Sequence, residues 1–176
     1  MKTGRLTRDA LFTSLALILF TIEAQIPLPV PVPGVKLGLA NIVTVWAMFR
    51  LGAADALAIL ISRVLLGSLF AASPSTLLYS LTGGLSCFAL TLILRRILTQ
   101  DQIWVCGVLG AVAHNAGQLA AAVLVTGTPG LWSYLPILTV SGMIAGLFTG
   151  LCAQYLIRRG IPKDTISDAP EDLGSK

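Results

Sequence analysis

Residues 103–157 contain no charged residue and read IWVCGVLGAVAHNAGQLAAAVLVTGTPGLWSYLPILTVSGMIAGLFTGLCAQYLI. A membrane-spanning helix needs about 20 predominantly apolar residues. The turn sequence GTPG at residues 127–130 divides this stretch into two segments of about that length. A soluble domain would need charged side chains on its solvated face, and this stretch offers none. It therefore predicts two consecutive transmembrane helices.

The composition of the whole chain agrees with this interpretation. Of its 176 residues, 55% are hydrophobic and only 11% are charged, and the mean hydropathy is +0.85. Soluble domains carry about 25% charged residues, so an ordinary cytosolic enzyme and a nucleic-acid-binding domain are both excluded. Most charges lie at segment ends or in the C-terminal tail, so the net charge of +4 reflects membrane topology and does not indicate an acidic partner.

Charges and Pro/Gly breaks divide the chain into six apolar segments. We expect an all-α, polytopic membrane protein with one six-helix domain at residues 1–157, embedded in the lipid bilayer. Residues 158–176 are polar and lack periodicity, which predicts a disordered cytoplasmic tail. The Pro-rich residues 27–34 predict an external loop, since proline cannot continue a helix. The predicted spans are 9–27, 35–49, 54–71, 76–94, 103–126 and 132–157.

The basic residues predict the orientation. Cytoplasmic loops carry an excess of Lys and Arg close to the span ends. With both termini inside, only Lys36 falls on the outer side, so we expect cytoplasmic termini and a multi-pass protein of the cell membrane. Besides Lys176 at the end of the tail, nine basic residues then fall on the cytoplasmic side: Lys2, Arg5, Arg8, Arg50, Arg95, Arg96, Arg158, Arg159 and Lys163.

Seven polar residues lie between the middle and the outer ends of the predicted spans. Ionisable and amide groups inside a membrane are costly, and they usually face a bundle interior or a water-filled cavity. His114 and Gln118 are four residues apart and so share one helix face. Together they predict an outward-facing pocket for a polar or anionic small molecule. The predicted substrate-binding residues are Arg63, His114, Asn115, Gln118, Asn41, Glu23 and Lys36.

Five of these residues also have a structural interpretation. Arg63 and Glu23 would form a salt bridge that only stabilises the fold. Asn41 would cap a helix or form a hydrogen bond between helices. His114 would be a neutral core residue with its hydrogen bonds satisfied, and Lys36 would only anchor a helix end at the interface.

Small residues mark the expected helix contacts, because they let helix backbones approach closely in a membrane. Gly142, Gly146 and Gly150 recur every four residues in the sixth span, which predicts packing within the monomer. Ala10 and Ser14 show the same spacing in the first span. They are candidates for a contact with a partner subunit.

Catalytic motifs are absent from the sequence. It has no DDxxD run to hold magnesium on a diphosphate, no GxxxxGK[ST] loop for ATP, and a single histidine. We therefore expect no enzymatic activity, no catalytic residues, no cofactor and no metal site. Any active transport would need an energy source outside this chain.

Four stretches carry a family likeness. The sequence PGVKLGLANIV at residues 33–43 resembles a signature of the Gx transporter family, which is also catalogued as heptaprenyl diphosphate synthase component I. RVLLGSL at 63–69, LTGG at 81–84 and GAVAHNAGQL at 110–119 are similar to its other motifs. The likeness covers roughly residues 10–157.

The family in turn resembles the substrate-binding (S) components of energy-coupling factor transporters. This resemblance implies a six-helix protein that binds a vitamin-like solute, with a transmembrane coupling subunit and two ATPases as partners. Ala10 and Ser14 would match the small residues that contact the coupling subunit, with serine in place of the usual alanine. Two other functions stay open: an accessory subunit in polyprenyl diphosphate synthesis, and an ion-coupled carrier in which Glu23 or Asp55 carries protons.

Overall fold

A computed structural model of the chain describes residues 3–25, 38–71 and 74–159. Within these residues the chain is helical and contains no strand, so the all-α prediction is confirmed. Two 3₁₀ segments, Gln100–Gln102 and Pro129–Tyr134, precede the last two α-helices. The α-helices are α1 (Thr3–Gln25), α2 (Leu39–Arg50), α3 (Ala53–Ala71), α4 (Pro74–Leu94), α5 (Ile103–Thr126) and α6 (Leu135–Arg159).

Each predicted span corresponds to one helix, and the largest differences are at the starts of α1 and α2. The first span was predicted to start at residue 9, whereas α1 begins at Thr3. The second was predicted to start at residue 35, whereas α2 begins at Leu39. Gly38 has a φ of 73°, a left-handed conformation that glycine adopts readily and other residues rarely do, and this stops the helix from extending further back. The Pro-rich loop, Lys36 and the predicted tail beyond Arg159 lie outside the described residues.

The membrane assignment rests on four helical segments that are long and apolar enough to cross a bilayer. The chain is therefore a membrane protein. Helix α1 carries four charged residues, and α2 has only 12 residues. Neither helix is therefore both long and apolar enough to be identified as a membrane span by itself. The four segments are Ala53–Phe70, Leu77–Leu94, Ile103–Thr126 and Pro129–Arg159.

Helices α1, α2 and α3 pack around an aliphatic core. Its largest fully buried side chains are Met48, Ile59 and Leu60, and Phe88 of α4 closes it on one side. A second, smaller apolar cluster joins α2 to the other half of the bundle. That cluster contains Val45, Ile103, Ala153 and Ile157.

Helices α4, α5 and α6 pack through small residues instead. A Cβ atom placed on Gly107 of α5 would lie 2.3 Å from the carbonyl oxygen of Gly146 and 2.5 Å from Cα of Gly150 in α6. On the other side of α5, a Cβ on Gly117 would lie 2.3 Å from Oγ of Ser86. The glycine spacing in the sixth span therefore marks a contact within the monomer, as predicted.

Charged side chains gather at one end of the bundle, which we call the Asp55 end. Asp55 is buried in the first turn of α3 and pairs with Arg5 and Arg8 of α1. The hydrogen bond that Arg5 donates to Asp55 raises the pKa of Arg5. Arg50 donates to the carbonyl of Ile157 in α6. These contacts tie α1 to α3, and α2 to α6.

Candidate functional site

A cavity lies between the two halves of the bundle. Its empty volume is about 790 Å³, part of which is open solvent. Helices α1, α2 and α3 contribute one wall, and α4, α5 and α6 contribute the other. Six of the seven predicted site residues line it, and the seventh, Lys36, lies outside the described residues. The six are Glu23, Asn41, Arg63, His114, Asn115 and Gln118.

Arg63 is the most unusual residue of this cavity. It lies in the middle of α3, its exposed fraction is 8%, and its Nε atom has no hydrogen-bond partner in the described part of the chain. A buried polar group without a partner is costly, and more so when it is charged. The packing of α3 holds this guanidinium against the cavity in spite of that cost.

Glu23 has both carboxylate oxygens committed to the backbone of α2. Its Oε1 accepts a hydrogen bond of 2.6 Å from the N–H of Gly38, and its Oε2 accepts one of 3.0 Å from the N–H of Leu39. The first N–H groups of a helix lack partners within the helix and favour negative charge. Glu23 therefore caps α2 from α1.

The alternative of a Glu23–Arg63 salt bridge is wrong within the described residues, where these two side chains form no ion pair. Both carboxylate oxygens of Glu23 bind the start of α2 instead. Spacing along the chain could not show this, because the contact depends on where α2 begins.

Asn41 lies in the first turn of α2, beside the Glu23 cap. Its N–H donates a hydrogen bond of 2.8 Å to the carbonyl of Gly38, and a Cβ on Gly38 would lie 3.2 Å from the Nδ2 atom of Asn41. No side-chain cap hydrogen bond is formed by the N-cap position of α2 itself. The amide of Asn41 is thus held close to the turn and lines the cavity.

The polar residues of α5 form the facing wall. The Nδ2 atom of Asn115 donates a hydrogen bond of 2.6 Å to the carbonyl of Leu138 in α6, which leaves its amide oxygen for other partners. His114 packs against Gly83 of α4, where a Cβ would lie 2.9 Å from the histidine carbonyl oxygen and 3.0 Å from its ring. His114 and Gln118 both line the cavity, as expected of residues that share a face.

Several further residues that the sequence did not predict line the cavity. Among them are Phe20, Ser80, Cys87, Cys106 and Thr149. The sequence offered only a weak signal for the cysteine, serine and threonine among them, because these residue types also occur as ordinary packing residues in helices. Among the described residues, no three His, Cys, Asp or Glu side chains are grouped so that they could hold a metal ion.

Ala10 and Ser14 lie away from the cavity, on an exposed face of α1. The hydroxyl of Ser14 donates a hydrogen bond of 2.9 Å to the carbonyl of Ala10, so it is satisfied within its own helix. Leu11, Leu15 and Ile18 are also exposed on α1. Their contact with a partner subunit stays a prediction.

The fold and the cavity together define the class: a helical membrane protein with polar and charged side chains enclosed between its apolar helices. The chain belongs to the family described as heptaprenyl diphosphate synthase component I, which it matches over residues 12–156. The match spans both walls of the cavity, from Phe20 of α1 to Thr149 of α6. No curated protein and no solved structure matches the chain.

Proposed function

We propose that this protein is the solute-binding subunit of a membrane importer, similar to the S components of energy-coupling factor transporters. The cavity carries the proposal, because its walls bring Arg63, Asn41 and Gln118 together inside an otherwise apolar bundle. Buried polar groups of this kind in a membrane protein typically line a substrate pathway. Each would be costly if it served packing alone.

The proposal includes a topology and an energy source. All six helices cross the cell membrane with both termini in the cytoplasm, so the Asp55 end faces inward and the opposite end, where Glu23 caps α2, faces outward. The chain is not itself an enzyme. A transmembrane coupling subunit, held in part by Ala10 and Ser14, and two ATPase subunits would supply the work of transport.

Thermal unfolding of the protein in lipid nanodiscs tests solute binding. We expect at least one water-soluble vitamin, added at millimolar concentration, to raise the unfolding midpoint. A ligand at 100 times its Kd stabilises the folded state by about 2.7 kcal/mol. Gln118→Ala is expected to reduce that shift, whereas the exposed Gln102→Ala is the matched control that keeps it.

A second function is favoured by the description of the family, which names a component of heptaprenyl diphosphate synthase. In this alternative the chain is a membrane accessory subunit in polyprenyl diphosphate synthesis, and its apolar helices would hold a synthase at the bilayer. A soluble synthase partner that co-purifies with the chain, and whose product formation requires it, would establish this function. Stabilisation by vitamins together with no effect on prenyl chain synthesis would exclude it.

A further inference from the structure

The two charged side chains that line the cavity differ in whether nearby groups balance their charge. The described lining of the cavity contains two side chains that are charged at neutral pH, Arg63 and Glu23. The carboxylate of Glu23 accepts hydrogen bonds from two backbone N–H groups at the start of α2. A helix N-terminus carries a partial positive charge of roughly half a unit, so Glu23 is already compensated where it lies.

Arg63 has no comparable partner. It is about nine-tenths buried, its Nε atom makes no hydrogen bond, and it forms no ion pair within the described residues. An uncompensated charge in a bundle interior is among the most costly arrangements in a protein. The positive charge of Arg63 is therefore left without a partner in the described lining of the cavity.

We infer that the solute is a small organic monoanion, with a carboxylate that binds Arg63 and neutral polar groups that bind Asn41 and Gln118. This inference rests on the proposed solute-binding function and specifies its substrate class. A planar guanidinium matches a carboxylate through two parallel hydrogen bonds. A diphosphate carries at least two negative charges, and the described lining supplies one cation, so the carboxylate is the better match.

Pairs of probes that share a scaffold and differ in one anionic group test this inference. We would measure the unfolding midpoint of the full chain in nanodiscs with nicotinate against nicotinamide, and with pantothenate against its alcohol, panthenol. Isopentenyl diphosphate against isopentenol forms a third pair. The variants are Arg63→Met, Arg63→Lys and, as the matched control, Arg96→Met, which removes an exposed arginine just beyond α4.

The inference expects a carboxylate to raise the midpoint while its neutral partner does not. Arg63→Met then lowers the affinity about 30-fold or more, since truncating one partner of a buried charge pair has effects of that size. Arg63→Lys restores part of the affinity, and Arg96→Met changes nothing.

Other outcomes distinguish a failure of the monoanion inference from a failure of the proposed solute-binding function. Equal binding of neutral and charged partners overturns the monoanion and leaves solute binding intact. Binding of isopentenyl diphosphate alone through Arg63 also overturns it. If no probe binds, the unfolding midpoints measured without any probe test the premise about Arg63. A midpoint of Arg63→Met at or above that of the wild type supports an uncompensated charge at Arg63. A lower midpoint overturns the inference.

Discussion

In the α4–α6 half of the bundle, helix backbones touch at Gly107, Gly146 and Gly150. In the α1–α3 half, helices are separated by larger side chains such as Met48 and Leu60 and joined by ion pairs and a cap. The first half resists any added atom, whereas the second depends on particular polar partners. The two walls of one cavity are thus stabilised by different interactions, and different substitutions should destabilise each of them.

The largest expected effect comes from one added methyl group in the tightly packed half. In Gly107→Ala the new Cβ would lie 2.3 Å from the carbonyl oxygen of Gly146, so α5 and α6 must separate. Overpacking costs about 1–3 kcal/mol, and we expect the upper part of that range. The unfolding midpoint would fall by several degrees, at about 2–4 °C per kcal/mol for a chain of this size.

Gly4→Ala is the matched control, because nothing lies within 4 Å of a Cβ at that position in α1. Its midpoint should stay at or slightly above the wild type, since alanine favours a helix more than glycine does. Equal midpoints for Gly107→Ala and Gly4→Ala would remove the distinction between the two halves.

An intermediate effect is expected at the Asp55 end of the other half. Asp55→Asn removes the buried carboxylate that pairs with Arg5 and Arg8. Breaking a buried pair costs about 3–5 kcal/mol, but both arginines are partly exposed, so we expect about 2 kcal/mol in nanodisc unfolding.

Asp101→Asn provides the comparison for that variant. Asp101 also pairs with an arginine, Arg158, but both side chains are largely exposed. Exposed pairs contribute about 0–1 kcal/mol, so Asp101→Asn should unfold close to the wild type. If Asp101→Asn lowers the stability as much as Asp55→Asn does, burial is not the reason why the ion pairs of Asp55 stabilise the protein.

The smallest effect is expected at the cap between α1 and α2. Glu23→Gln keeps one acceptor oxygen but removes the charge beside the N-terminus of α2, which is worth about 0.3–1 kcal/mol. We expect a midpoint lower by a few degrees at most. Because the charge of Glu23 is used by α2, the preference for a charged over a neutral ligand should persist; inversion of that preference would assign Glu23 to the solute instead.

The sequence predicted the helices well because the signal for them is local. Charged residues and Pro/Gly breaks bound each apolar segment, and four of six helix starts followed closely from them. Helix α1 begins earlier than predicted because it continues through Arg5 and Arg8, which pair with Asp55. The start of α2 depends on the backbone conformation of Gly38. Six of the seven predicted site residues line one cavity, and their role in binding stays a prediction.

The interactions among these residues could not be predicted in the same way. The cap that Glu23 forms on Gly38 and Leu39 requires the relative height of two helices, which periodicity does not encode. Cys87 and Cys106 line the cavity because of the rotation of α4 and α5 about their own axes. The orientation in the membrane and the partner face at Ala10 and Ser14 stay predictions.

The shortness of α2 has a consequence for how a solute would reach the cavity. Its 12 residues span about 18 Å at 1.5 Å per residue, against a hydrocarbon thickness of about 30 Å. Since Arg50 fastens one end of α2 to the last turn of α6, the shortfall falls at the Gly38 end. In the proposed importer, Gly38 and the Glu23 cap would therefore lie below the outer membrane surface, and a solute would cross that depth before it contacts Arg63.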